Sequence, residues 1–139
     1  MVSRVLVAVD GSEVSEQALR YALDAHPDAE VTVLTVVGTP SRMFGQATAI
    51  ALSDDPDRSI AEHAEPVLER AREVAAESGI EVSTEAAAGH PARTIIDRAS
   101  DYDVVVVGSH GGSVADRLLV GNVADSVVRH SPVPVTVVR

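Results

Sequence analysis

Short runs of β-branched residues alternate along this chain with longer stretches in which small apolar residues return at helical spacing. Arg4 to Val9 is an apolar run that ends at Asp10-Gly11-Ser12, a turn in which Ser12 offers a helix cap. Val14, Ala18, Leu19, Ala22 and Ala25 then recur at helical spacing and stop before Pro27. Val31 to Val37 predicts a second strand, closed by Gly38-Thr39-Pro40. Residues 41–55 hold no sustained period and read as a mobile loop; loops of that length in compact domains are usually functional or disordered.

Asp55-Pro56 predicts the start of a long helix, with an acidic cap and proline at its first position. Its buried stripe is Ile60, Ala64, Val67, Leu68, Ala71, Val74 and Ala75, and Gly79 ends it. Pro66, inside that stripe, should kink or divide the helix. Ile80 to Ala86 alternates as a third strand, and Gly89-His90-Pro91 opens a short helix that turns Ile95, Ile96 and Ala99 inward. Tyr102 to Val107, Asn122 to His130 and Val133 to Val138 complete the chain as strand, helix and strand. Strands alternating with helices predict a single α/β domain over 1–139, an open five-stranded parallel sheet with helices on both faces.

Composition sharpens this picture. The chain has 139 residues, 45% of them hydrophobic but only 2% aromatic, so Val, Ala, Leu and Ile must build the core. No apolar stretch reaches the roughly 20 residues of a membrane span, and the start of the chain has no signal-peptide layout. A cytoplasmic protein is expected, in keeping with the lack of cysteine. Net charge is −10, and all eleven basic residues are arginine. Without lysine there is no Walker-A loop and no Schiff-base chemistry, and the acidic balance disfavours nucleic acid as a partner. Acidity without lysine also fits a halophilic protein of a haloarchaeon, where salt screens self-repulsion; a GC-rich genome favouring arginine codons explains the same bias.

The chemistry concentrates late in the chain. Four valines, Val104 to Val107, run into Gly108-Ser109-His110-Gly111, and after nine residues comes Gly121-Asn122 at the start of a helix. Glycines let a backbone approach an anion closely, and helix-terminal N–H groups point at it, so the pattern predicts a phosphate cradle. Asp10-Gly11-Ser12 and Gly38-Thr39 lie at carboxyl ends of strands as well, where open α/β sheets bind their ligands. Arg117, within the nine-residue spacer, is a candidate phosphate cation, with a salt bridge to Asp116 as the plainer role.

Gly108-x2-Gly111-x9-Gly121-Asn122 resembles the nucleotide signature of the universal stress protein family, which carries Ser or Thr where this chain has Asn122. The resemblance runs through the whole chain: Val5 to Ser12 is similar to the family's opening strand and aspartate, Gly89-His90-Pro91 to its third-helix entry, and Ser131 to Val135 to its closing turn and strand. It implies a Rossmann-like sheet akin to the adenine nucleotide alpha hydrolases, and a homodimer through the C-terminal strand 133–138. It also implies ATP, with Mg²⁺, as the ligand of the glycine-bearing subgroup. Gly108, Gly111 and Gly121 would line the triphosphate, with Asn122 and the backbone N–H groups of Asn122 and Val123 donating to it. Asp10 would lie near the ribose, the phosphates or their metal, and Val36 would offer backbone bonds to adenine. Asn122 also reads as a helix N-cap, and Asp10 as an everyday turn residue.

Other candidates weigh less. His110 in the glycine loop is either a phosphate or pH-sensing contact or a solvated side chain, and Gly89 and His90 are either ribose contacts or a helix-entry turn. Val107 to Gly111 half-matches a Gly-x-Ser-x-Gly elbow, with Asp125 and His130 in triad order, but the chain is too short for a hydrolase of that type. No general base or nucleophile is placed, so at most slow ATP hydrolysis is expected. The competing reading is a nucleotide-independent dimeric scaffold acting through its surface and loop 41–55.

Overall fold

The computed structural model describes residues 1–38, 56–110 and 121–139, with the side chains of 56–59 left out. Five strands form one sheet: β1 (Arg4–Ala8), β2 (Glu30–Val37), β3 (Ser83–Ala88), β4 (Val104–Gly108) and β5 (Val135–Val138). Four helices connect them among the described residues: α1 (Glu13–Ala25), α2 (Pro56–Glu77), α3 (Pro91–Ala99) and α4 (Asn122–His130). The strand order is β3-β2-β1-β4-β5 and every pairing is parallel. The α/β doubly wound architecture expected from the alternation is the one observed.

Each strand divides its residues between two cores, because successive side chains point to opposite faces. Val5, Val7, Val31, Val33, Val104 and Val106 pack under α1 and α2 with Leu19, Leu23, Leu68 and Val74. Leu6, Leu34, Val105 and Val107 face the other way, under α3 and α4, with Ile95, Tyr102 and Val127. Burial on both faces explains why the central strands read as unbroken apolar runs rather than as alternations.

Three strands start later than expected: β3, β5 and also β4, which begins at Val104 rather than Tyr102 because the Tyr102 N–H bonds back to the Ala99 carbonyl at the end of the preceding helix. The third strand begins at Ser83, not Ile80, because Ile80 belongs to the stop signal of α2. Gly79 takes φ +70°, its N–H donates to the Ala76 carbonyl, and the Ile80 N–H reaches back to Ala75 at 3.0 Å. That pair of bonds is a Schellman end, with Ile80 packed on the core as its apolar contact. The strand then continues to Ala88, two residues further than expected. The last strand likewise begins at Val135, after a turn in which Ser131 Oγ donates to the Val133 carbonyl and accepts the Val133 N–H.

Pro66 does not divide α2, which runs undivided for 22 residues. Proline lies on the exposed side, while Ala64, Leu68, Ala71, Val74 and Ala75 carry a continuous buried stripe past it. A proline inside a helix costs about 3 kcal/mol, and the burial of that stripe offsets it. The loop expected over 41–55 lies outside the described residues.

Candidate functional site

The strand order fixes where a ligand belongs. The chain leaves β1 for β2 and β3 on one side of the sheet, and β4 and β5 lie on the other. The order therefore reverses between β1 and β4, and a crevice opens beyond their carboxyl ends. The segments after β1, after β4 and before α4 all meet this switch point.

On the β1 side, the Val9 N–H donates to the Leu34 carbonyl at 2.9 Å, and the chain then turns away from the sheet. Gly11 makes the turn at φ +84°, a conformation that disfavours a side chain. Asp10 is exposed, and one of its carboxylate oxygens accepts the Ser12 N–H at 2.9 Å. Ser12 caps α1 by accepting the Ser15 N–H. Buried Ser15 closes the turn: its hydroxyl donates to the Ser12 carbonyl at 2.9 Å and accepts the Asp10 N–H at 3.3 Å. Asp10 is thus a turn residue, one of the two readings expected, and its second oxygen has no partner among the described residues. The tie through Ser15 was not legible in the sequence, where Ser15 is one polar residue in a helical stretch.

On the β4 side, close approach rather than unusual backbone explains the glycines. A Cβ on Gly108 would stand 3.0 Å from Val14 Cγ1 and 3.2 Å from the Val14 main chain, so β4 ends directly against the first turn of α1. A Cβ on Gly121 would meet the Ser109 carbonyl oxygen at 3.1 Å and His110 Cα at 3.2 Å. Gly121 itself donates its N–H to the Ser109 carbonyl. The loop after β4 and the start of α4 are therefore in backbone contact.

Ser109, 2% exposed, is the centre of this joint: its N–H donates to the Val138 carbonyl at 2.8 Å, and its hydroxyl lies 2.9 Å from His110 Nδ1. Ser109 was prominent in the sequence only as half of a nucleophile elbow. That reading has no support here: Asp125 is bound to Arg129, and His130 Nδ1 lies against the Ser126 carbonyl.

Gly121, not Asn122, is the N-cap of α4, with extended backbone and no side-chain cap. This corrects the expectation that Asn122 serves as the cap. Asn122 is instead the first helical residue, exposed, with Val123 exposed after it. The first bond of the helix runs from the Asp125 N–H to the Gly121 carbonyl. The N–H groups of Asn122, Val123 and Ala124 consequently have no partner among the described residues, and the positive end of the helix faces the glycine loop.

Val36 occupies the third corner. Backbone directions alternate along β2: Leu34 bonds toward β1, and the Val37 carbonyl accepts the Gly89 N–H at 3.0 Å on the β3 side. Val36 therefore turns its N–H and C=O toward the β1 side, where the β1–β2 pairing ends at Ala8 and Leu34. Those two groups border the crevice without a partner among the described residues.

Gly89 and His90 form the helix-entry turn: Gly89 adopts φ +129°, and His90 caps α3 by accepting the Arg93 N–H. Gly111 and Arg117 lie outside the described residues. Among the described residues, no group of three or more His, Cys, Asp or Glu is placed to hold a metal, and no helix is long and apolar enough to cross a membrane.

Fold and site together define a doubly wound α/β protein in which a glycine loop meets a helix N-terminus at the switch point. The chain belongs to the universal stress protein family, whose model matches residues 1–139. It is 34% identical over 148 residues to universal stress protein YxiE of Bacillus subtilis, covering 100% of both chains. Among solved structures it is similar to universal stress protein UspA from Lactobacillus plantarum, at 31% identity and a TM-score of 0.77, covering 99% of this chain and 98% of that one. A universal stress protein from Archaeoglobus fulgidus in complex with dAMP shares the fold, at 21% identity and a TM-score of 0.68, with 100% and 98% covered.

Proposed function

We propose that this universal stress protein binds ATP with Mg²⁺ in the crevice between β1 and β4. The observation that carries the reading is the joint of Gly108, Ser109 and Gly121, which brings the uncapped N-terminus of α4 against a glycine loop. Phosphate oxygens are acceptors, and three N–H groups with no partner among the described residues, beside a helix's positive end, match them. A Cβ at Gly121 would fill that approach. Gly108, Gly121, Asn122 and Val123 would hold the phosphates, joined by Gly111 and Arg117 of the same signature. The second oxygen of Asp10 suits Mg²⁺ or a ribose hydroxyl, and the Val36 main chain suits the donor–acceptor edge of adenine. The Archaeoglobus fulgidus relative, seen with dAMP, supports an adenine nucleotide as the ligand class. Bound Mg²⁺ would neutralise phosphate charge that the acidic chain, at −10, otherwise repels.

No described side chain is placed as a general base for hydrolysis, so occupancy rather than turnover is the signal in this reading. The protein acts as a cytoplasmic stress-response module whose nucleotide state alters what its loops present to partners. It works as a homodimer through 133–138: among the described residues β5 pairs with β4 alone, which leaves one backbone edge and the partly exposed Val135 and Val137 to be covered by a second copy. Its acidic, lysine-free composition suits high salt.

Calorimetric titration with ATP and Mg²⁺ in molar salt tests the reading. One saturable site per chain, lost in Gly121→Val, is the expected result. No saturable binding by the unaltered protein overturns it and leaves the nucleotide-independent scaffold.

A further inference from the structure

We propose that His110 is a phosphate-contacting residue whose protonation tightens nucleotide binding, with Ser109 as the residue that positions its ring. The inference rests on the nucleotide site proposed above and adds to it a side chain and a means of regulation. Ser109 is buried in the joint of β4, β5 and α4, and both its main-chain groups are engaged there. Its hydroxyl, 2.9 Å from His110 Nδ1, tethers the imidazole to this rigid point. His110 Cα is 3.2 Å from where a Cβ on Gly121 would stand, so the residue abuts the cap of α4, beside its first turn.

An imidazolium carries two N–H donors. With Nδ1–H donating to Ser109 Oγ, Nε2–H remains for an anion, and the ring adds a positive charge beside the helix terminus. The neutral ring supplies no charge. The setting makes that charge count. Among the described residues, charged or titratable groups on the adjoining elements include Asp10 beyond β1, Glu13 and Glu16 in the first turn of α1, Asp125, Arg129 and His130 on α4, and Arg139 beyond β5. Asp125 is ion-paired with Arg129, and Glu16 with Arg20 and Arg70. Asp10 and Glu13 have no ion pair among the described residues, and a proton on His110 offsets their repulsion of phosphate. Carboxylates keep their charge over the neutral range, whereas imidazoles change theirs between about pH 5 and 8. By linkage, a nucleotide that binds the protonated form better must also raise the proton affinity of the ring.

The test compares binding of a non-hydrolysable ATP analogue with Mg²⁺ at about pH 5.5 and about pH 8.5. Titration of the analogue's own phosphate is common to every variant and cancels in the comparison. The unaltered protein should gain about five- to tenfold more affinity on acidification than His110→Gln, as a charge-assisted hydrogen bond at a part-exposed site implies. Ser109→Ala should flatten the same profile. In NMR titrations of the unaltered protein, the His110 ring signal should reach its midpoint at higher pH once the analogue is bound. An identical pH profile in His110→Gln, or a ring midpoint that the analogue does not move, overturns the proposal while the nucleotide site stands. Failure of the unaltered protein to bind at either pH overturns both.

Discussion

Gly108 and Gly121 carry the site through the atoms they lack. Neither has the positive φ seen at Gly11, Gly38, Gly79 and Gly89. What each needs is space, because a Cβ would press on main chain that cannot rotate away. Gly121→Ala should therefore destabilise the fold by about 1–3 kcal/mol, read from urea midpoints, and weaken nucleotide binding at least tenfold. Gly79→Ala is the contrast. Nothing lies within 4 Å of its Cβ position, but φ is +70°, so the cost should be about 1 kcal/mol with nucleotide binding untouched. The glycine spacing was legible in the sequence. The reason for each glycine was not, because close approach depends on Val14 and Ser109, which reach these points only in the fold. Asn122 shows the same limit: a good capping residue, it stands one position inside the helix because Gly121 fills the only place the Ser109 carbonyl allows.

At the scale of elements, α1 and α2 are tied by arginine–carboxylate pairs. Glu16 accepts from Arg70 and from Arg20, and Arg20 also reaches Glu77. The Arg70 hydrogen bond, more than Arg20, holds the Glu16 carboxyl below its ordinary range although partial burial works against it. Asp103, accepting the N–H groups of Ser3 and Arg4, is held low as well. For such groups the unfolded chain binds more protons, so their stabilisation is present above the ordinary carboxylate value of about 4 and fades as pH falls below it. Melting temperatures followed from pH 7 to pH 3 should fall less for Glu16→Gln than for the unaltered protein; an equal fall would exclude the tie as a source of acid sensitivity. Pro66→Ala should raise stability by about 1–2 kcal/mol, since it restores a helical N–H on the exposed side of α2, while proline's restriction of the unfolded chain offsets part of the gain. Apolar periodicity made these helices readable, and the tertiary burial that carries α2 past Pro66 lies outside any local pattern. The shift of β3 has a local cause, the Schellman end that takes Ile80, and the glycine there was its signal.

For the whole molecule, the order β3-β2-β1-β4-β5 sets the ends of β2, β1 and β4 side by side. Alternation of strands and helices showed the class of fold, but no residue pattern states that β4 lies beside β1. That neighbour relation is what sets Asp10, Val36, Ser109 and Gly121 around the proposed crevice. The edge strand β5 predicts a dimer in light scattering at micromolar concentration, and Val137→Arg should convert it to monomer; a monomeric unaltered protein would contradict the proposed pairing. The central claim, that this crevice takes an adenine nucleotide, is tested most directly by amide NMR shifts on titration with ATP and Mg²⁺ in molar salt. Saturable shifts centred on Asp10, Val36, Ser109, His110 and Asn122 to Ala124 are predicted; no saturable shifts, or shifts centred elsewhere on the sheet, would contradict the account.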